Sequence, residues 1–227
     1  MSVTTSSTPI TVLRSGALDR VGQQRVLRNT YALLSMTLLF SAAVAGAAVA
    51  FSLPAPGIIL TLVGYFGLLF AIHKLQNRGA AVGLVFALTG FMGWTLAPML
   101  SRYLALPGGG QTIMLALGAT GAVFLGLSAW VLTTRRDFSW MGGFLFAGMI
   151  VALVAGLASV FLQIPALALT VSAVVALLSA GMLLFETSRI VNGGETNYVM
   201  ATVSLYVSIY NLFTSLLSLF GFASNDD

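Results

Sequence analysis

Cysteine is absent from these 227 residues and histidine occurs once. The first absence excludes disulfides, thiol nucleophiles and cysteine-ligated metals. The second excludes a His-Glu-x-x-His zinc site or any ligand set built on several imidazoles. Charge is nearly as scarce: 7% of the residues are charged, against about 25% in a soluble globular domain. With 58% hydrophobic residues and a mean hydropathy of +0.99, the composition is that of an all-α integral membrane protein. The net charge of +4 therefore points to no nucleic-acid partner. In such a chain the positions of the charges carry more information than their sum.

Further enzyme chemistries fall away residue by residue. Ser128, in Gly126-Leu127-Ser128-Ala129, has the setting of an intramembrane serine nucleophile, but the single histidine, His73, lies next to Lys74 at a span end, where it reads as an interfacial residue and not as a base for that serine. An aspartyl site needs two carboxylates side by side, and Glu186 reads as the one acid near any span. A retinal Schiff base needs a lysine in the last span, which has none. Gly108-Gly109-Gly110 lacks the Lys and Ser/Thr of a phosphate-binding loop. No enzyme, cofactor or resident metal is expected.

What the chain does have is seven apolar runs, at roughly 31–53, 57–73, 80–100, 112–133, 141–162, 166–185 and 198–222, each close to the ~20 residues that cross a bilayer as a helix. Pro54, Pro56, Asn77 to Gly79, Pro107 to Gly110, Arg135 to Asp137, Pro165 and Asn192 to Gly194 punctuate them. Residues 1–25 are polar and rich in Ser and Thr, which predicts a flexible tail ahead of a seven-helix domain over 26–227. No cleaved signal peptide is expected, and the first apolar run serves as an uncleaved anchor.

Basic residues set the orientation. Arg14, Arg20, Arg25, Arg28, Lys74, Arg78, Arg135, Arg136 and Arg189 fall at one end of the spans and Arg102 alone at the other. The positive-inside rule then puts the N-terminus in the cytoplasm. With seven spans the C-terminus, including Asp226 and Asp227, lies outside. Small residues recur one turn apart, as in Ala43/Ala47, Gly46/Ala50, Gly79/Gly83, Gly64/Gly67 and Gly118/Gly121, and are expected at contacts within the bundle. The oligomeric state stays open.

The last run differs from the rest. At 100° per residue Ser204, Ser208, Asn211, Ser215 and Ser218 share one stripe, while Thr202, Tyr206 and Tyr210 line the opposite side. Unpaired polar groups facing lipid cost several kcal/mol, so the other helices are expected to surround this one. Its hydroxyls serve either as packing glue or as a wetted stripe. Before it come Glu186 and Arg189, three residues apart and so on one helical face. They form either a simple ion pair or a site that holds a proton or a cation.

Several of these stretches carry a resemblance. Val26-Leu27-Arg28-Asn29-Thr30-Tyr31, Leu53-Pro54-x-Pro56-Gly57, Thr89-Gly90-Phe91, Leu132-Thr133-Thr134-Arg135, Phe185-Glu186-Thr187-Ser188, Gly193-Gly194-Glu195-Thr196-Asn197-Tyr198 and Ala201 to Ser208 are similar to the Bax inhibitor family of multispanning membrane proteins, in its bacterial branch. The resemblance implies six helices surrounding a central polar seventh, in the bacterial cytoplasmic (inner) membrane. It implies a regulator that binds FtsH, a membrane-anchored AAA+ metalloprotease, together with the membrane-associated complex around it, and limits its degradation of membrane proteins. The tail and Arg14, Arg20, Arg25 and Arg28 are then the expected protease-contact region.

The resemblance also implies an alternative, a pH-sensitive calcium leak in which two acids near the cytoplasmic end form a latch. Glu186 matches the first acid. Ser208 stands in place of the second, which leaves the latch incomplete, with Arg189, Tyr206 and Asn211 as further candidates around an ion or proton site. Calcium enters only as a transported ion, and it favours several oxygen ligands.

Overall fold

The computed structural model describes residues 9–223, with side chains from Val21 onward. Seven α-helices follow one another: α1 (Pro9–Ala50), α2 (Ile58–Leu75), α3 (Ala80–Leu104), α4 (Gly109–Thr134), α5 (Gly142–Leu162), α6 (Pro165–Val191) and α7 (Tyr198–Ala223). All seven are long and apolar enough to cross a membrane, and among the described residues there is no strand. The protein is a multi-pass membrane protein.

Local chemistry explains most of the breaks. Pro54 and Pro56 keep the α1–α2 connection out of the helix. Gly108 takes φ +72° just before α4, and Pro165 opens α6 at a position where its missing N–H costs nothing. The α6 terminus is closed by Gly193 at φ +78°, with the Gly194 N–H bonded to the Arg189 carbonyl at 2.8 Å and the Gly193 N–H to the Ile190 carbonyl at 3.4 Å. This paired arrangement satisfies carbonyls the helix leaves open. Asn197 caps α7, its Oδ1 accepting the N–H groups of Val199 at 2.9 Å and Met200 at 3.3 Å.

α1 departs from the sequence expectation. Its helix begins at Pro9, so the backbone from 9 to 25 is helical where the composition suggested an unstructured tail. Between Pro9 and Arg28 the chain has no further proline, and it supplies Leu, Ala, Gln and Arg, which favour a helix whether or not lipid surrounds it. Residues 1–8, the side chains of Arg14 and Arg20, and the terminal Asp226 and Asp227 lie outside the described residues.

Burial is graded across the bundle. Half of the α7 span is buried against 6% of the α2 span. α7 packs on α6, α4, α1 and α3, whereas α2 rests on α3 and α5 on α6. The small-residue pairs are not where close contacts concentrate. A Cβ added at Gly46, Gly79, Gly83, Gly118 or Gly121 would meet open space, while Gly90, Gly93, Gly142, Gly148 and Gly181 sit against neighbouring helices. Periodicity shows which glycines share a face and not what that face touches, so the expectation of internal packing fails for most of the named pairs. Gly64, covered by Phe91, is an exception.

Candidate functional site

Three connections converge at the end of the bundle where α6 turns into α7. Asn197 donates through Nδ2 to the Gln76 carbonyl at 3.2 Å and to Asn77 Oδ1 at 3.3 Å, which ties the α2–α3 turn to the start of α7. Ser188 Oγ donates to the Arg136 carbonyl at 3.1 Å and accepts the Phe138 N–H at 2.9 Å. Asn192 Nδ2 adds a bond to Ser188 Oγ at 3.2 Å. The α4–α5 connection is thereby held against α6.

Within this frame lies a charged trio. Glu186 is 4% exposed, and its Oε2 stands 3.5 Å from Arg189 Nη1. That oxygen accepts no hydrogen bond, so the contact is ionic without hydrogen-bond geometry. Arg189 Nη2 reaches Glu195 Oε2 at 3.3 Å and the Gly194 carbonyl at 3.4 Å. The guanidinium also lies 5.5 Å from the centre of the Phe185 ring. Glu195 in turn accepts the Asn197 N–H through Oε1 at 2.9 Å. One cation therefore serves two carboxylates, one buried and one near the surface.

Glu195 corrects the reading of Glu186 as the one acid near a span. In the sequence it sits in a polar turn nine residues past Glu186, and only the tight glycine closure of α6 folds it back onto Arg189. The Gly-Gly before it was the available signal, since such a pair permits a sharp reversal. Asn197 and Ser188 were equally overlooked as ties between connections. Asn197 was legible as a cap, being an Asn immediately before an apolar run.

The other candidate residues form a separate group deeper in the bundle. Tyr206 is 1% exposed; its hydroxyl shares a hydrogen bond with Ser41 Oγ at 2.6 Å and donates to the Thr89 carbonyl at 3.3 Å, so α7, α1 and α3 meet there. Tyr210 and Thr95 share a hydrogen bond at 3.2 Å. Two of the four stripe serines turn back on their own helix. Ser208 donates to the Ser204 carbonyl and Ser218 to the Thr214 carbonyl, each at 3.0 Å. Asn211 is half-buried. Among the described residues no hydrogen bond joins Glu186 or Arg189 to Ser208, Asn211 or Tyr206.

Arg25 and Arg28 are exposed on α1 and make no ion pair among the described residues. Six buried side-chain polar atoms have no hydrogen-bond partner among the described residues: Thr30 Oγ1, Tyr31 OH, Ser128 Oγ, Ser179 Oγ, Glu186 Oε2 and Thr187 Oγ1. They belong to α1, α4 and α6, none to α7.

Comparison with known proteins covers nearly the whole of the chain. The family profile described as inhibitor of apoptosis-promoting Bax1 matches residues 23–225. The chain belongs to the Bax inhibitor family. Within that family it is 56% identical over 202 residues to the Escherichia coli K12 protein named modulator of FtsH protease YccA, a match that covers 89% of this chain and 92% of the relative. A protein of E. coli O6:H1 with the same identity and coverage is named inner membrane protein YccA. An uncharacterized Pseudomonas aeruginosa protein is 53% identical over 215 residues, 95% of this chain and 97% of its own length. For this Bax inhibitor chain the match thus begins near Gln23 and takes in every span, the charged trio and the Asn197 tie.

Proposed function

We propose that this protein is a regulator of the FtsH protease, embedded in the bacterial inner membrane with its N-terminus in the cytoplasm and its C-terminus outside. The observation that carries the reading is the 56% identity to the E. coli modulator over 92% of that protein's length. The placement of nine of ten basic residues at one end supports the orientation. In this arrangement α7 is the inner helix of the bundle, held by α6, α4, α1 and α3, with α2 and α5 packed outside them on α3 and α6. The N-terminal part of α1, carrying Arg14, Arg20, Arg25 and Arg28, extends from the cytoplasmic face as the contact for the protease and its membrane-associated complex. The role is regulatory rather than catalytic.

The test is a detergent pull-down of the tagged protein, full length beside a variant lacking residues 1–24, with FtsH as the readout and degradation of a second membrane substrate followed in parallel. The reading expects FtsH to come down with the full-length protein, substrate degradation to slow, and both effects to weaken without the tail. Failure to recover FtsH, together with an unchanged degradation rate, sinks it.

A second reading, a cation leak, has one observation in its favour. The Glu186 carboxylate is buried with an oxygen that accepts no hydrogen bond, and Thr187 and Thr30 are buried and unpartnered as well. Such groups are usually satisfied by internal water. Against it, Ser208 bonds to its own helix and offers no second carboxylate. Liposomes holding the protein should leak calcium, and Glu186→Gln should abolish the leak, if this reading holds.

A further inference from the structure

Beside the charged trio, at the same end of the bundle, α1 stands slightly apart from α4 and α6 and leaves two adjoining cavities. One is an apolar trough of ≈ 260 Å³ walled by Leu27, Tyr31 and Leu132 with Gln24 and Arg28 at its margin. The other, ≈ 170 Å³ and mostly polar, is lined by Gln23, Arg135, Ile190 and Val191, and it shares Gln24, Leu27 and Leu132 with the first. Neither lining contains an acid. Arg28 and Arg135 are exposed, and among the described residues neither has an ion pair.

We propose that this two-part cleft is a binding site for one anionic glycerophospholipid of the surrounding bilayer, with its phosphate between Arg28 and Arg135 and the top of its acyl chains in the Leu27/Tyr31/Leu132 trough. The level is right for a headgroup. The cleft lies at the last turns of α4 and α6, and the exposed Trp130 and Trp140 flank Arg135 in the manner of interfacial aromatics. Basic pockets between spans at the cytoplasmic rim are suited to anionic headgroups. The shape is right as well, since an apolar compartment continuous with a basic one matches an amphiphile and not a free anion. A partner helix is too large for it: at a diameter of about 10–12 Å and a pitch of 5.4 Å, one turn occupies roughly 400–600 Å³. The inference does not depend on whether FtsH is bound: Arg28 lies at the base of the α1 extension, in the cleft lining, and the protease contact is left to the part of α1 that precedes it.

The experiment reconstitutes the full chain in mixed phosphatidylglycerol and phosphatidylcholine nanodiscs and reads co-purifying lipid by native mass spectrometry. The wild type is expected to retain phosphatidylglycerol in preference to phosphatidylcholine. Arg28→Gln and Arg135→Gln are expected to reduce that preference roughly fivefold each, the factor that corresponds to about 1 kcal/mol per basic residue. Leu132→Trp, which fills the trough and keeps both charges, should lose retained lipid altogether. Arg78→Gln, which removes a charge at the same end outside the cleft, should behave as wild type. Helix content by circular dichroism guards against misfolding in each variant. Equal retention of the two lipids by the wild type overturns the proposal, as does an effect of Arg78→Gln equal to that of Arg28→Gln, or complete displacement of the lipid by inorganic phosphate alone.

Discussion

At the scale of single residues, Arg189 decides the electrostatics of the α6 terminus because it serves Glu186 and Glu195 together. Removing one partner from a buried pair costs about 3–5 kcal/mol. Arg189 is 32% exposed, so water screens part of that, and about 1–3 kcal/mol is the expected loss for Arg189→Gln. Glu186→Gln, which leaves the Arg189–Glu195 pair intact, should cost under about 1 kcal/mol. The double variant should then be more stable than Arg189→Gln alone, since it no longer buries an uncompensated carboxylate. Melting curves of the three variants in detergent check this, and strictly additive losses would count against it. Asp137 gives a pH-dependent counterpart outside the spans. Its Oδ1 accepts the Ser139 hydroxyl at 2.6 Å and the Ser139 N–H at 2.8 Å, and these bonds, the hydroxyl first, hold its carboxyl below the usual aspartate range. A depressed acid stabilises the fold above its unfolded pKa and loses that contribution as the pH falls through its folded value. Ser139→Ala should therefore move the Asp137 titration upward, read by carboxyl carbon NMR; an unmoved midpoint would remove the cause assigned here.

At the scale of elements, the contact among α1, α3 and α7 depends on one small residue and one hydroxyl. A Cβ at Gly93 would run into the Ser41 backbone carbonyl, so only glycine lets α1 and α3 approach closely enough for Ser41 and Thr89 to reach the same tyrosine. Tyr206→Phe deletes both bonds of that hydroxyl and leaves Ser41 buried without its partner. Interhelical hydrogen bonds within membranes average about 0.6 kcal/mol and reach about 1.7, and a stranded buried hydroxyl costs about 1–3, so a loss of about 1–2 kcal/mol is expected. Ser41→Ala combined with Tyr206→Phe should lose little more than either alone, which thermal unfolding of the cycle would test. This contact also marks the limit of what the sequence made legible. The seven helices were readable because each apolar run is long and its breaks carry Pro, Gly or Asn, and most ends agree within a few residues. α6 runs six residues past its apolar stretch because Glu186 and Arg189 end the lipid-facing run without ending the helix. The polar face of α7 was readable from its period. That its hydroxyls bond backward to their own carbonyls was not, because a serine stripe has the same spacing whether it lines water or closes on itself.

At the scale of the whole molecule, the proposed orientation, with seven spans, puts the two ends of the chain on opposite sides of the membrane and the basic end of the bundle in the cytoplasm. Lys74, Arg78, Arg135, Arg136 and Arg189 all lie at or next to the ends of α2, α3, α4 and α6 that share one side of the bundle, and Arg28 lies midway along α1, in the N-terminal half of that helix, whereas Arg102 lies in the last turn of α3 at the other side. The hydrogen-bonded ties from Asn197 to the α2–α3 turn and from Ser188 to the α4–α5 connection also join elements on that side. The basic face is thus cross-linked into one surface, built from the short connections and the start of α1. A phosphatase fused after Asp227 should be active only if it is exported, and a fluorescent protein at the same place should stay dark. The opposite pattern would put the basic surface outside, where neither a cytoplasmic protease contact nor a headgroup of the inner leaflet is within its reach.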